Sequence, residues 1–130
     1  MLTFSKFYDI VQADVDYESL LSPLVKYLDP NKSVLDVGCG SGHLMLQMHK
    51  MGFKMIGLDI DPTMIELAKN KLPDVSFIKH DIRKKFKEKY DQIILLLDVM
   101  NYFMGAKSII KNLYDALNDN DDVQEIYHNV

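Results

Sequence analysis

The stretch VLDVGCGSGHL, residues 34–44, is a β-rich apolar run carrying one carboxylate, Asp36, that breaks into glycines at 38, 40 and 42. Apolar residues then recur at helical spacing, Leu44, Met45, Met48 and Met51, with Gly52 placed to end the helix. A strand, a glycine loop and a helix in that order start an alternating pattern. FKMIGLD, residues 53–59, reads as a second strand, and Asp61-Pro62 opens a helix carrying Met64, Ile65, Leu67, Ala68 and Leu72, with Asp61 as its N-cap. VSFIKHD, residues 75–81, and DQIILLLDV, residues 91–99, supply a third and a fourth strand, the last apolar enough for burial on both faces. A helix from Ala106 to Leu117 follows. Parallel neighbours need crossover connections, so the alternation predicts an α/β fold with a doubly wound, parallel sheet.

Upstream, residues 4–28 show helical periodicity through Phe4, Phe7, Tyr8, Val11 and Val15, then Leu20, Leu21, Leu24, Val25 and Leu28, with a break near Ala13 to Asp16. Downstream, residues 118–130 are polar and acidic and read as weakly structured, anchored only by Val123, Ile126, Tyr127 and Val130. The 130 residues, 48% hydrophobic, predict one domain, residues 1–130: helices 4–28, core 32–117 and tail 118–130. A net charge of -4, from 15 basic and 19 acidic residues, gives no global attraction to nucleic acid or an anionic membrane. Arg83, Lys84, Lys85, Lys87 and Lys89 cluster locally, which reads as a solvated loop. The one cysteine, Cys39, has no disulfide partner, no apolar run can span a bilayer and no leader is apparent, so a soluble, cytoplasmic protein is expected.

Ligands of open parallel sheets lie beyond the carboxyl ends of the strands. Those ends carry Asp36 with the glycine loop, then Asp59, Asp81 and Asp98. A dinucleotide fingerprint would put its third glycine at position 43, where His43 stands, which weakens a pyrophosphate reading. Carboxylates around a glycine loop suit a cationic ligand instead. His43, His49, His80 and His128 lack metal-ligand spacing, so no metal is expected. Cys39 reads as a small residue fitting the loop, since a nucleophile would need a base beside it.

Asp-x-Gly-x-Gly-x-Gly, residues 36–42, resembles the first motif of class I S-adenosylmethionine-dependent methyltransferases. The resemblance implies a Rossmann-like sheet and S-adenosyl-L-methionine as cofactor, with S-adenosyl-L-homocysteine as product. By that likeness Gly38, Cys39, Gly40 and Gly42 pass under the methionine half, Asp36 orients its amino group, Asp59 accepts from the ribose hydroxyls, Ile60 covers the adenine face, and Asp81 and the Ile82 backbone address the adenine edge. FSKFYDIVQADVDYESLL, from Phe4, and YDQIILLLDVMNYF, from Tyr90, resemble segments of bacterial small-molecule methyltransferases, in which Tyr8 and Tyr17 would help close the site. Asp98 joins this set, and Asp98 and Tyr17 are the nearest candidates for a base, the catalytic residue itself being left open.

The family's sheet has seven strands in the order 3-2-1-4-5-7-6, and this chain is expected to supply about four, as if cut after the fourth strand and its helix. Strand four, residues 91–99, would then be an open edge, which predicts an edge-to-edge homodimer or some other burial of this surface, a short strand added by the tail among them. The loop DVMNYF lacks the proline-containing motif of enzymes that methylate nucleobase amines, which tilts the acceptor toward a small molecule. A cofactor-binding half-domain without independent catalysis is the alternative, and a nucleotide-dependent oxidoreductase stands behind it.

Overall fold

The computed structural model describes residues 3–95, 106–118 and 126–128. The chain runs α1 (Phe4–Gln12), α2 (Tyr17–Val25), β1 (Val34–Val37), α3 (His43–Lys50), β2 (Met55–Asp59), α4 (Pro62–Lys71), β3 (Ser76–Lys79), β4 (Gln92–Leu95), α5 (Ala106–Asp115) and β5 (Ile126–His128). The sheet order is β3-β2-β1-β4-β5, and every neighbouring pair is parallel. The doubly wound α/β reading therefore holds, and no helix among the described residues is long and apolar enough to cross a membrane.

Burial on both faces explains why the central strands lack polar alternation. Val34 and Ile94 face one layer, with Leu21, Met45, Met48 and Leu72. Leu35, Val37, Leu58, Ile93 and Leu95 face the other, with Ile109, Leu113 and Leu117. Strand alternation then turns Asp36 to the side of Val34, where its register partners are Gly57 and Ile94. A carboxyl group is thereby driven into an apolar layer at 2% exposure.

The tail, read as weakly structured, takes the alternative of adding a short strand. Ile126–His128 forms β5 and pairs in parallel with Ile93, Ile94 and Leu95, giving five strands among the described residues. Such pairing needs backbone groups, so a short segment without an apolar run can supply it. The premise of an edge-to-edge homodimer through residues 91–99 is lost over residues 93–95, where that edge is occupied within the chain. Residues 96–99 lie outside the described residues.

Capping follows the sequence at α4, where the Asp61 carboxylate accepts from the Thr63 N–H at 2.9 Å and Pro62 opens the helix. At α3 the N-cap is Gly42, with φ of 92°, and a Cβ there would stand 3.0 Å from Ala68 Cβ and 3.2 Å from its Cα. Gly42→Ala combines left-handed strain with a clash against α4, and is expected to destabilise the chain by about 1–3 kcal/mol. A urea midpoint equal to wild type would show that the two helices can separate at no cost.

Helix α1 sits opposite to its periodicity. Phe4, Phe7, Ile10 and Val11 are exposed, at 72%, 54%, 60% and 48%, whereas Ser5 is buried and Tyr8, Asp9 and Gln12 are partly covered. The inward face is held by polar contacts. Ser5 Oγ lies 2.5 Å from Thr63 Oγ1, and Asp9 Oδ1 accepts from Lys71 Nζ at 2.7 Å and meets His43 Nε2 at 2.7 Å. Lys71 also donates to the Ser41 carbonyl at 3.0 Å, tying α1 and α4 to the glycine loop. Burial raises the Asp9 pKa, but Lys71 and His43 outweigh it and hold the carboxyl below its usual range.

Candidate functional site

The β1–α3 loop leaves the sheet through three glycines with φ of 74°, 57° and 92° at Gly38, Gly40 and Gly42, a region that side-chain-bearing residues avoid. The Gly38 and Cys39 N–H groups both donate to the Leu58 carbonyl, at 2.8 and 2.9 Å, which binds the loop to the end of β2. One residue on, Asp59 takes two backbone donors. Its Oδ2 accepts from the Gly40 N–H and its Oδ1 from the Asp61 N–H, each at 2.9 Å. Each oxygen keeps a further lone pair, so the carboxylate is oriented without being used up.

Beside it lies a cleft of about 280 Å³. Gly38, Gly40, Asp59, Ile60, Asp81 and Ile82 line it from the strand ends, and Phe4 and Tyr8 close it from α1. Ile60 presents its side chain at the mouth, 47% exposed, while Met64 and Ile82 are buried at 7% and 3%. An apolar slot with a held carboxylate on one side and another at its end suits a flat, amine-bearing ring joined to a diol.

The carboxyl groups differ in state. Burial, and then the neighbouring Asp59 charge, pushes the Asp36 pKa up to about 8. Asp81 goes the other way: Arg83 holds it with paired bonds, Nε to Oδ1 at 3.0 Å and Nη2 to Oδ2 at 2.7 Å, and lowers it to about 2. Burial, with Asp36 and Asp59 adding to it, raises the Cys39 thiol well above its usual range. That thiol stays protonated and is no nucleophile.

Of the residues expected from sequence, the structure brings Tyr8, Gly38, Gly40, Asp59, Ile60, Asp81 and Ile82 together at the cleft. Asp36 and Cys39 are buried beside them, and Gly42 packs on Ala68 instead. Tyr17 is not among the residues lining the cleft: its hydroxyl donates to the Gln12 carbonyl at 2.7 Å and its ring stacks near His43 at 6.3 Å. Burial, then Tyr8, Asp9 and Asp36, pushes its pKa up to about 12, which favours the protonated phenol near neutrality. Asp98 lies outside the described residues. Phe4 and His80 line the cleft without having been singled out for it. His80 stands next to Asp81 at the strand-end motif and could have been found there, whereas nothing in the periodicity marks Phe4 as a cleft residue.

A family model described as a methyltransferase domain matches residues 28–127. The ribosomal protein L11 methyltransferase of Dictyoglomus turgidum is 42% identical over 76 residues, 55% of this chain and 25% of that protein. Among solved structures, Streptomyces venezuelae DesVI superposes with a TM-score of 0.75 at 20% identity, over 91% of this chain and 54% of that one. A TehB-like SAM-dependent methyltransferase from Corynebacterium glutamicum gives 0.69 at 24% identity, over 86% and 63%. The chain spans about half or less of the length of the curated relatives it matches. The structural likenesses establish the fold, and the family match takes in the glycine loop, Asp59 and Asp81, so the chain belongs to the methyltransferase domain family.

Proposed function

We propose that the cleft binds S-adenosyl-L-methionine and that the chain serves methyl transfer to an acceptor, releasing S-adenosyl-L-homocysteine. The observation that carries this is Asp59, held by two backbone N–H groups at the cleft with a lone pair free on each oxygen. Asp59 would hold the ribose diol, Ile60 and Met64 the adenine faces, and Asp81 the adenine amino group. The Gly38–Gly40 backbone would pass beneath the methionine portion, and Asp36 would ionise toward its ammonium. The residues fit the cofactor in charge: burial and then the neighbouring Asp59 charge oppose ionisation of Asp36, which an arriving cation relieves.

When bound, the cofactor supplies an electrophilic methyl group on a sulfonium. The chain's own contribution is to hold it so that an acceptor can approach in line, and positioning of this kind can provide much of the rate. Asp98 is the preferred candidate base where the acceptor needs one, because the Tyr17 hydroxyl is engaged with the Gln12 carbonyl. The acceptor is read as a small molecule, because DVMNYF lacks a nucleobase-amine motif. The name of one relative, a ribosomal protein L11 methyltransferase, makes a protein acceptor the second reading. A dinucleotide is disfavoured by the carboxylates at the loop and by His43 at the third glycine position.

Calorimetric titration of the chain with S-adenosylhomocysteine and, separately, with NAD tests the reading. Tighter binding of S-adenosylhomocysteine is expected, and tighter binding of NAD would overturn it. Turnover on a panel of small molecules and ribosomal proteins then separates the acceptor classes, and binding without turnover on either would favour a cofactor-binding half-domain.

A further inference from the structure

The backbone from Asp81 onward is held. Ile82 is buried at 3% exposure and its carbonyl accepts from Asn112 Nδ2 at 3.1 Å, while the Lys84 N–H closes a turn onto the Asp81 carbonyl at 2.9 Å. What remains adjustable is the Asp81 side chain, and Arg83 governs it. The Arg83 backbone N–H and Nε both reach Oδ1 at 3.0 Å, and Nη2 reaches Oδ2 at 2.7 Å. Asp81 lines the cleft and Arg83 does not, its side chain being 60% exposed. Nε also reaches Oδ2 at 3.1 Å, so three donors share the four acceptor sites of the carboxylate, and the guanidinium grips it from outside with one site on Oδ2 left for a ligand.

We propose that Arg83 is a positioning residue that sets base selectivity, by fixing the Asp81 carboxylate as an acceptor that takes a ring bearing an exocyclic amine and rejects one bearing a carbonyl. The proposal rests on the S-adenosylmethionine reading of the cleft. Its physical ground is that a ligand covering Asp81 strips its remaining water, which favours the neutral acid. A neutral acid can donate as well as accept, and so cannot tell an amine from a carbonyl. A fork of two N–H groups opposes both protonation and rotation. A lysine opposes protonation alone, as a point charge.

The test compares S-adenosylhomocysteine with S-inosylhomocysteine, in which a carbonyl replaces the adenine amine, on wild type, Arg83→Ala and Arg83→Lys by calorimetry at pH 5.5 and 7.5. Melting curves check that the variants are folded. Wild type is expected to prefer the adenosyl ligand by about tenfold or more at both pH values. Arg83→Ala is expected to lose most of that preference through weaker adenosyl binding, more so at pH 5.5, and Arg83→Lys to recover only part of it. Equal weakening of both ligands, or a lysine variant identical to wild type, would overturn the positioning role while leaving the cofactor reading intact. Failure of wild type to bind either ligand would overturn the cofactor reading, and this proposal with it.

Discussion

Asp59→Ala is expected to weaken S-adenosylhomocysteine binding by about a hundredfold or more, because two hydrogen bonds to a charged acceptor disappear together. The magnitude depends on Asp59 being held before the ligand arrives. Gly40 and Asp61 donate to it and fix its orientation, so little ordering remains to be done on binding. Asp59→Asn keeps one oxygen acceptor and is expected to fall between. Both variants are read by calorimetric titration, with melting temperature as the control for the two N–H groups left behind. An alanine variant that binds within tenfold of wild type would remove Asp59 from the site.

The second large effect concerns Asp36, and it has opposite signs for stability and for binding. Its pKa is about 8 in the folded chain against an ordinary value of 3.8, so between those values the folded state holds a proton that the unfolded state has released. Stability from this group is therefore highest at low pH and declines as pH rises through that window. Asp36→Asn, which never ionises, is expected to melt higher than wild type at pH 9, by about 1–3 kcal/mol in stability. Ligand binding runs the other way. An ammonium beside Asp36 favours the carboxylate, so binding near pH 7 is expected to release a proton, and affinity to fall by up to about tenfold per pH unit below pH 8. Titration in buffers of different ionisation heat measures that proton directly. No proton release by wild type, together with full affinity in Asp36→Asn, would place the ligand's amino group elsewhere.

Much of this site could be read along the chain because each of its parts is local. Glycines at 38, 40 and 42 each need a positive φ, and acidic residues at successive strand ends need only strand order to meet. Orientation was harder to read. Periodicity says that a helix has two faces without saying which one meets the protein, and α1 turns Ser5 and Asp9 inward because Thr63, His43 and Lys71 offer polar partners there, with the Tyr8 ring seated near Gly40. Tyr17 followed the same logic, its hydroxyl finding a nearby carbonyl rather than the cleft. The strand β5 was legible only as one way of covering the β4 edge, because three residues paired through their backbones leave almost no compositional trace. The Arg83 fork escaped because its spacing of two from Asp81 looks like any basic residue in a charged loop.

The inverted seating of α1 also decides what kind of attachment it is. A helix that buried Phe4, Phe7 and Ile10 would be held by the expulsion of water, an attraction that dissolved ions do not screen. This one is fastened by hydroxyl and charged groups, contacts for which water and dissolved ions compete. The wall it forms over the cleft is thus sensitive to ionic conditions, while the sheet beneath keeps its shape by packing and backbone pairing.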